Sequence, residues 1–209
     1  MATPDDPFTL AHWRRAVAEL YAAVRQAPPE EQGRACEVFR AARDGLFRSH
    51  PQTPLSPDLR AGFTSLDYFP YDPAWRLIGA LDRQVERETF TLELPADGVV
   101  RYTRVARIRF MARGQPAELS AFWIEGYGGG LFVPFRDATS GATTYGGGRY
   151  LYDTIKGADL GVGAERIVLD FNYAYNPSCA YNDEWVCPLS PPENRLLFAV
   201  EAGEKVFGG

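Results

Sequence analysis

The residues able to do chemistry are concentrated between Leu131 and Glu204. Arg136 and Arg149 are the natural anion binders there, because a guanidinium holds a carboxylate or phosphate through two parallel hydrogen bonds. Asp170 sits on Asp-Phe-Asn, where strand alternation places Asp170 and Asn172 on one face and Phe171 on the other. An inward carboxylate at that position could act as a general base on a ligand that reaches it. Arg136, Asp137, Arg149, Asp170, Asn172 and Asn176 are therefore the expected ligand-binding set, and a small anionic molecule is the expected partner. The alternative is internal. Arg136 or Arg149 would then pair with Asp137, Asp153 or Asp170, while Asn176-Pro177 and Asn194 shape turns.

Gly146-Gly147-Gly148 precedes Arg149 and would let backbone approach a ligand closely. It is not a phosphate loop, since no Gly-Lys-Ser/Thr follows and the next element reads as a strand. Cys179 and Cys187 are separated by Ala-Tyr-Asn-Asp-Glu-Trp-Val, which is not the gap of a zinc knuckle. The chain adds only His12 and His50, so no metal and no cofactor are expected. Two reduced thiols are the first reading of the pair and a loop-closing disulfide the second. Tyr145, Tyr150, Tyr173, Tyr175, Tyr181 and Trp185 crowd the same region. Aromatic rings stack on flat ligands, but they also fill barrel cores, and core is the expected role of most of them.

The motifs in this segment run Phe135-Arg136-Asp137 to Gly141, then Tyr145 and Gly148-Arg149-Tyr150-Leu151. They continue as Asp170-Phe171-Asn172, Ala174-Tyr175-Asn176-Pro177, Cys179-Ala180-Tyr181 and Cys187-Pro188-Leu189. Pro191-Pro192-Glu193-Asn194 and Ala202-Gly203-Glu204 close the series. This pattern resembles the bacterial domain-of-unknown-function 1684 family, and the likeness reaches back to His50-Pro51, Thr53-Pro54-Leu55 and Tyr68-Phe69-Pro70. The resemblance implies a shared fold and site and carries no reaction with it. The stretch from Asp153 to Gly163 is longer than the resemblance leads one to expect, and the N-terminal helix is particular to this chain. His50 is the one histidine beside matched residues, so it is the candidate base for Cys179 as a nucleophile. The catalytic candidates are thus Asp170, His50 and Cys179, and whether the protein is an enzyme stays open.

The elements that must position these residues change character along the chain. Trp13, Val17, Leu20, Tyr21 and Val24 recur at helical spacing and predict a helix over 8–26. Pro29-Glu30-Glu31 starts a second helix that runs to Ser49, with Val38, Phe39, Ala42, Leu46 and Phe47 on its apolar side. Arg34, Arg40, Arg43 and Arg48 are expected to form its solvated face. Three prolines make 50–57 an extended connector.

Strand-like alternation follows over 89–94 and 99–110, joined by a hairpin turn at Asp97-Gly98. Further strands are expected over 118–124, 131–135, 149–152, 166–171 and 195–200. The fold class is mainly β with N-terminal helices (α+β), an antiparallel β-barrel or sandwich, with the barrel preferred. A helical segment and Pro-rich connector over 1–57 would lead into a β domain over 58–209.

Composition sets the outer bounds. At 209 residues the chain can bury a core without metal or disulfide. Its 27 acidic and 22 basic residues give a net charge of −5, with no basic block to grip nucleic acid or an anionic membrane. Met1 to Thr9 carries two Asp and two Pro, unlike a secretory signal, and no apolar stretch spans a membrane, so a cytoplasmic location is expected. The oligomeric state stays open. Two functions compete: a small-molecule site, and a non-enzymatic interaction module whose Gly, Pro and Asn residues serve turns. A cysteine-based redox or metal protein is the third reading. Convergence of Arg149 and Asp170 on one concavity favours the first, and a closed ion-pair network favours the second.

Overall fold

The computed structural model describes residues 6–94 and 98–208. Helix α1 spans Pro7–Gln26 and α2 spans Gln32–Ser49, after a 3-10 turn at Pro29–Glu31. Asp6 caps α1 by accepting from the Phe8 amide at 2.9 Å, and Pro7 fills the first helical position, where its missing N–H costs nothing. The connector ends earlier than expected. Pro57 opens a third helix, α3 (Pro57–Gly62), capped by Ser56 on the Leu59 amide. Proline is compatible with a first turn, which the reading of 50–57 as wholly extended overlooked.

Seven antiparallel strands follow among the described residues: β1 Arg76–Asp82, β2 Thr89–Leu94, β3 Gly98–Ala112, β4 Gln115–Ile124, β5 Gly130–Phe135, β6 Arg149–Asp153 and β7 Arg166–Asp170. Their order is β6-β5-β4-β3-β1-β7, with β2 also on β3. The sheet curls into a half-barrel, so the fold is α+β and the expected barrel is open on one side. Register slips at Arg104/Ala106 and Val133/Pro134 supply bulges that bend the sheet. β6 and β7 form the two ends of the path, and the Tyr152 hydroxyl spans between them, donating to Gly161 O at 2.9 Å or Val168 O at 2.7 Å.

The hairpin of β2 and β3 pairs Leu94 with Gly98, while Asp97 of its expected turn lies outside the described residues. The expected strand over 195–200 does not form. Arg195 makes one bridge to Arg136, and Leu196 N and Phe198 O bond to that same stretch. Beyond it, the Val200 amide turns to the Asp137 carboxylate at 3.2 Å, so a side chain takes a bond that a ladder would have used.

One hydrophobic cluster unites the helices with the sheet. Tyr21, Val24, Cys36 and Phe39 pack with Ile108, Leu119 and Leu169. The face of α2 is only partly the one its sequence suggested: Phe39 and Phe47 are buried and Arg34 and Arg48 exposed, as expected. Val38 is 59% exposed, whereas Arg40 and Arg43 turn towards the β-body. Cys36, Phe39, Arg43 and Phe47 follow at spacings of three and four, which places Arg43 between two buried phenylalanines. Among the described residues no helix is long and apolar enough to cross a membrane.

Candidate functional site

Arg149 opens β6 and its side chain is fully buried. Gly148 must precede it: φ is +95°, and a Cβ there would lie 2.5 Å from Phe135 O. The close approach is therefore to the protein's own backbone. Arg149 Nη2 donates to Asp137 Oδ2 and to Val200 O, both at 2.9 Å, while Nη1 donates to Glu204 O at 3.2 Å and to Ala202 O. Asp137 Oδ1 accepts from the Thr139 amide at 2.7 Å and from its hydroxyl at 2.5 Å. Burial pulls the guanidinium's pKa down, and Asp137 opposes that pull. Arg149 and Asp137 thus make the internal ion pair weighed above, and together they hold residues 200–204 against the sheet. Arg136, next to Asp137, is exposed instead and engages residues 194–196 through its backbone.

Asp170 ends β7 and caps the 3-10 turn Phe171–Tyr173. The strand alternation expected through Asn172 therefore stops at Asp170, because its own side chain accepts from the Asn172 amide and offers the backbone a turn. Oδ1 takes the Asn172 amide at 3.1 Å and Nδ2 at 2.9 Å, while Oδ2 has no hydrogen-bond partner and stands 3.7 Å from Arg76 Nε. Burial pushes the carboxyl up to about 6, against the pull of Asn172, Arg76 and Arg40. Asn172 also locks onto Asp72, accepting from its amide at 3.0 Å and donating to its carbonyl at 2.9 Å. No hydrogen bond joins Asp170 to Arg136 or Arg149.

A second polar cluster, centred on α2, escaped the sequence reading. Arg43 Nη2 lies 3.2 Å from both Glu204 Oε2 and the Tyr181 hydroxyl. Tyr181 donates to Glu204 Oε1, and Asn176 donates to it through Nδ2 at 3.1 Å. Arg43 also lies over the Tyr175 ring, and Arg40 over the Tyr68 ring at 4.6 Å. Burial acts against the Arg43 charge, yet Glu204 and the surrounding tyrosines raise its pKa. Burial raises the Glu204 pKa, with Arg43 pulling it back.

Five polar atoms of this cluster are buried without a hydrogen-bond partner: Arg40 Nε, Arg43 Nε, the Tyr68 and Tyr175 hydroxyls, and Asn176 Oδ1. Asn176 is the member that the sequence singled out. The signal for Arg43 was present in the three-and-four spacing, but an arginine on an apolar stripe reads first as a helix-face boundary.

The remaining candidates separate. His50 bonds to His12 at 3.0 Å, stacks on its ring and packs against Trp13. Burial lowers its pKa, with His12 and Arg60 adding to the effect. No hydrogen bond joins His50 to Cys179. The Cys179 partners are the Tyr145 hydroxyl at 3.5 Å and Cys187, whose Sγ accepts from the Cys179 amide at 3.4 Å. Among the described residues no three His, Cys, Asp or Glu gather to hold a metal ion. Two open clefts, one beside Met111 and Pro116 and one between α1 and α2 beside Leu20 and Val38, contain none of the expected site residues.

Comparison with known proteins adds a family and a fold. The family described as protein of unknown function (DUF1684) matches residues 61–205. An uncharacterized protein of Haloarcula marismortui, solved by NMR in solution, is 39% identical to the chain. The match covers 84% of this chain and 95% of that one, with a TM-score of 0.62. That relative is archaeal, which corrects the expectation of a bacterial family. No curated protein matches.

Proposed function

The chain belongs to this family of unknown function, and we propose that it binds a small anion of the carboxylate class in the polar interior beneath α2. The observation that carries the reading is the set of five buried polar atoms without partners around Arg40, Arg43 and Glu204. Four of them can donate: two guanidinium N–H groups and two hydroxyls. Glu204 is already served by Arg43, Asn176 and Tyr181, so the unmet need is for acceptor oxygens. A carboxylate supplies them in one compact group. A buried polar group left unpaired costs about 1–3 kcal/mol, which gives a ligand that pairs several of them a strong energetic reason to bind.

Most of the residues expected from the sequence keep parts in this reading. Asn176 lines the cluster, and Arg40 joins it to Asn172 by donating to the Asn172 carbonyl at 3.2 Å. Asp170 neighbours that end, and Arg149 with Asp137 fixes the tail that carries Glu204. Arg136, exposed and bonded to residues 194–196 through its backbone, takes no part in it.

A thermal-shift screen against small mono- and dicarboxylates and inorganic anions tests the reading. A specific ligand at ~100 times its Kd stabilises the fold by roughly 2.7 kcal/mol. The shift should shrink clearly in Tyr175→Phe, which removes one unpaired hydroxyl and leaves the ring. Absence of any shift across the panel defeats the reading. The closed Arg149–Asp137 pair favours the interaction module as the second reading, and a silent screen would turn attention to protein partners.

A further inference from the structure

We propose that Cys179 and Cys187 form a redox-active dithiol that exchanges reversibly with a low-molecular-weight disulfide. Eight positions apart, they meet across a single loop, and the three cysteines of the chain are all unpaired. The Cys187 sulfur accepts from the Cys179 amide at 3.4 Å. That donor favours the Cys187 thiolate. The Cys179 hydrogen bond leads in bringing the Cys187 pKa down against the opposing effect of burial, and Lys156 helps. The same bond leads in raising Cys179, which stays the protonated partner. A nucleophilic thiolate beside a protonated resolving thiol is the arrangement that disulfide exchange requires.

Access separates this pair from the third thiol. Cys179 is half-buried and Cys187 keeps 7% exposure, whereas Cys36 is sealed in the core and burial pushes it up to about 11. Trp185, Val186 and Leu189 stand about half exposed around Cys187, so the apolar rim of the loop is open to an incoming molecule.

The exchange balances in two steps. The Cys187 thiolate attacks one sulfur of RS–SR, the S–S bond breaks, and RS⁻ leaves with the bonding pair. Cys179 then gives its proton to that thiolate and attacks the Cys187 sulfur, expelling the second RS⁻, which takes a proton from water. The protein loses two electrons to the disulfide, and two RSH are formed. The ring so closed contains Tyr181, whose hydroxyl donates to Glu204, so the bond forms on the loop that frames the α2 cluster.

Oxidised glutathione is the probe. Wild-type protein equilibrated in glutathione buffers of rising oxidation should lose two alkylatable thiols together. Peptide mapping after denaturation should join Cys179 to Cys187, with Cys36 alkylated throughout. Cys179→Ser should stop at one glutathione on Cys187. Alkylation of native Cys187 by iodoacetamide should rise clearly less between pH 7 and 8.5 than that of an ordinary thiol of pKa ~8.5, which rises about 16-fold. Three alkylatable thiols under fully oxidising buffer, a persistent mixed disulfide on the wild type, or a bond that uses Cys36 would each overturn the proposal. These readouts need no anion and stand or fall apart from the α2 cluster.

Discussion

Arg43 in the middle of α2 donates to Glu204, 161 residues further along the chain, at 3.2 Å. The pair ties the N-terminal helices to the far end of the β-body, and both side chains are almost entirely buried. Two charges in such a place stabilise only as a pair, because each one alone carries its desolvation cost. Arg43→Ala and Glu204→Ala should each cost about 3–5 kcal/mol. The double variant should cost clearly less than the two together, since it leaves no lone charge behind. Urea unfolding of the four proteins decides it, and strict additivity would show that the two residues are not coupled.

Arg149→Ala should be among the most damaging substitutions in the chain. It strands the Asp137 carboxylate and frees three carbonyls of residues 200–204 at once. A loss of about 3–5 kcal/mol is expected from the ion pair alone. Thermal unfolding measures it, and limited proteolysis should find the chain newly open beyond Val200. A variant with the wild-type midpoint would show that the pair holds nothing.

The stability of the protein should fall as pH rises through 6, in so far as Asp170 governs it. Its folded carboxyl titrates near 6, above the usual carboxylate value, so the folded state binds the extra proton between about pH 4 and 6. The contribution is complete below that window and lost above it, by about 3 kcal/mol for a shift of some two units. Asp170→Asn removes the titration. Wild type should gain on the variant as pH is lowered from 7.5 to 4.5, and parallel stability curves across that range would refute the assignment.

Gly203 and Gly141 offer a matched comparison. Both have positive φ, +76° and +87°, but a Cβ on Gly203 would stand 2.6 Å from Phe171 O and Ala174 O, whereas one on Gly141 meets nothing within 4 Å. Gly141→Ala should cost only the left-handed penalty of about 1–2 kcal/mol. Gly203→Ala should cost visibly more, because backbone must move. Equal midpoints in urea would mean that the crowding around Gly203 relaxes freely.

The parts of the fold legible in the sequence are those fixed by local periodicity. α1, α2 and the strands carrying alternation appear close to where their patterns put them, because one amphipathic face is enough to specify each. The missing strand over 195–200 failed for a reason no window of sequence contains: Asp137, more than sixty positions away, claims the Val200 amide. The site behaved likewise. Asp170 and Asn172 were recognised as polar residues at a strand end, but their orientation depended on a cap that stopped the strand. Arg40 and Arg43 were assigned to solvent because charge usually marks a solvated face. Their burial rests on acceptors that lie 132 and 161 residues downstream.

The arrangement of Arg149 also bears on the order in which the molecule can be finished. Its guanidinium is placed by β6, yet three of its acceptors are the carbonyls of Val200, Ala202 and Glu204. On the ribosome those residues emerge after all seven strands. Until then Arg149 must stay hydrated, and the sheet cannot dry around it. Arg43 waits on the same few residues. A nascent chain stalled before Val200 should therefore hold a loose, water-filled body, and release of one short segment should set both buried arginines in a single late event.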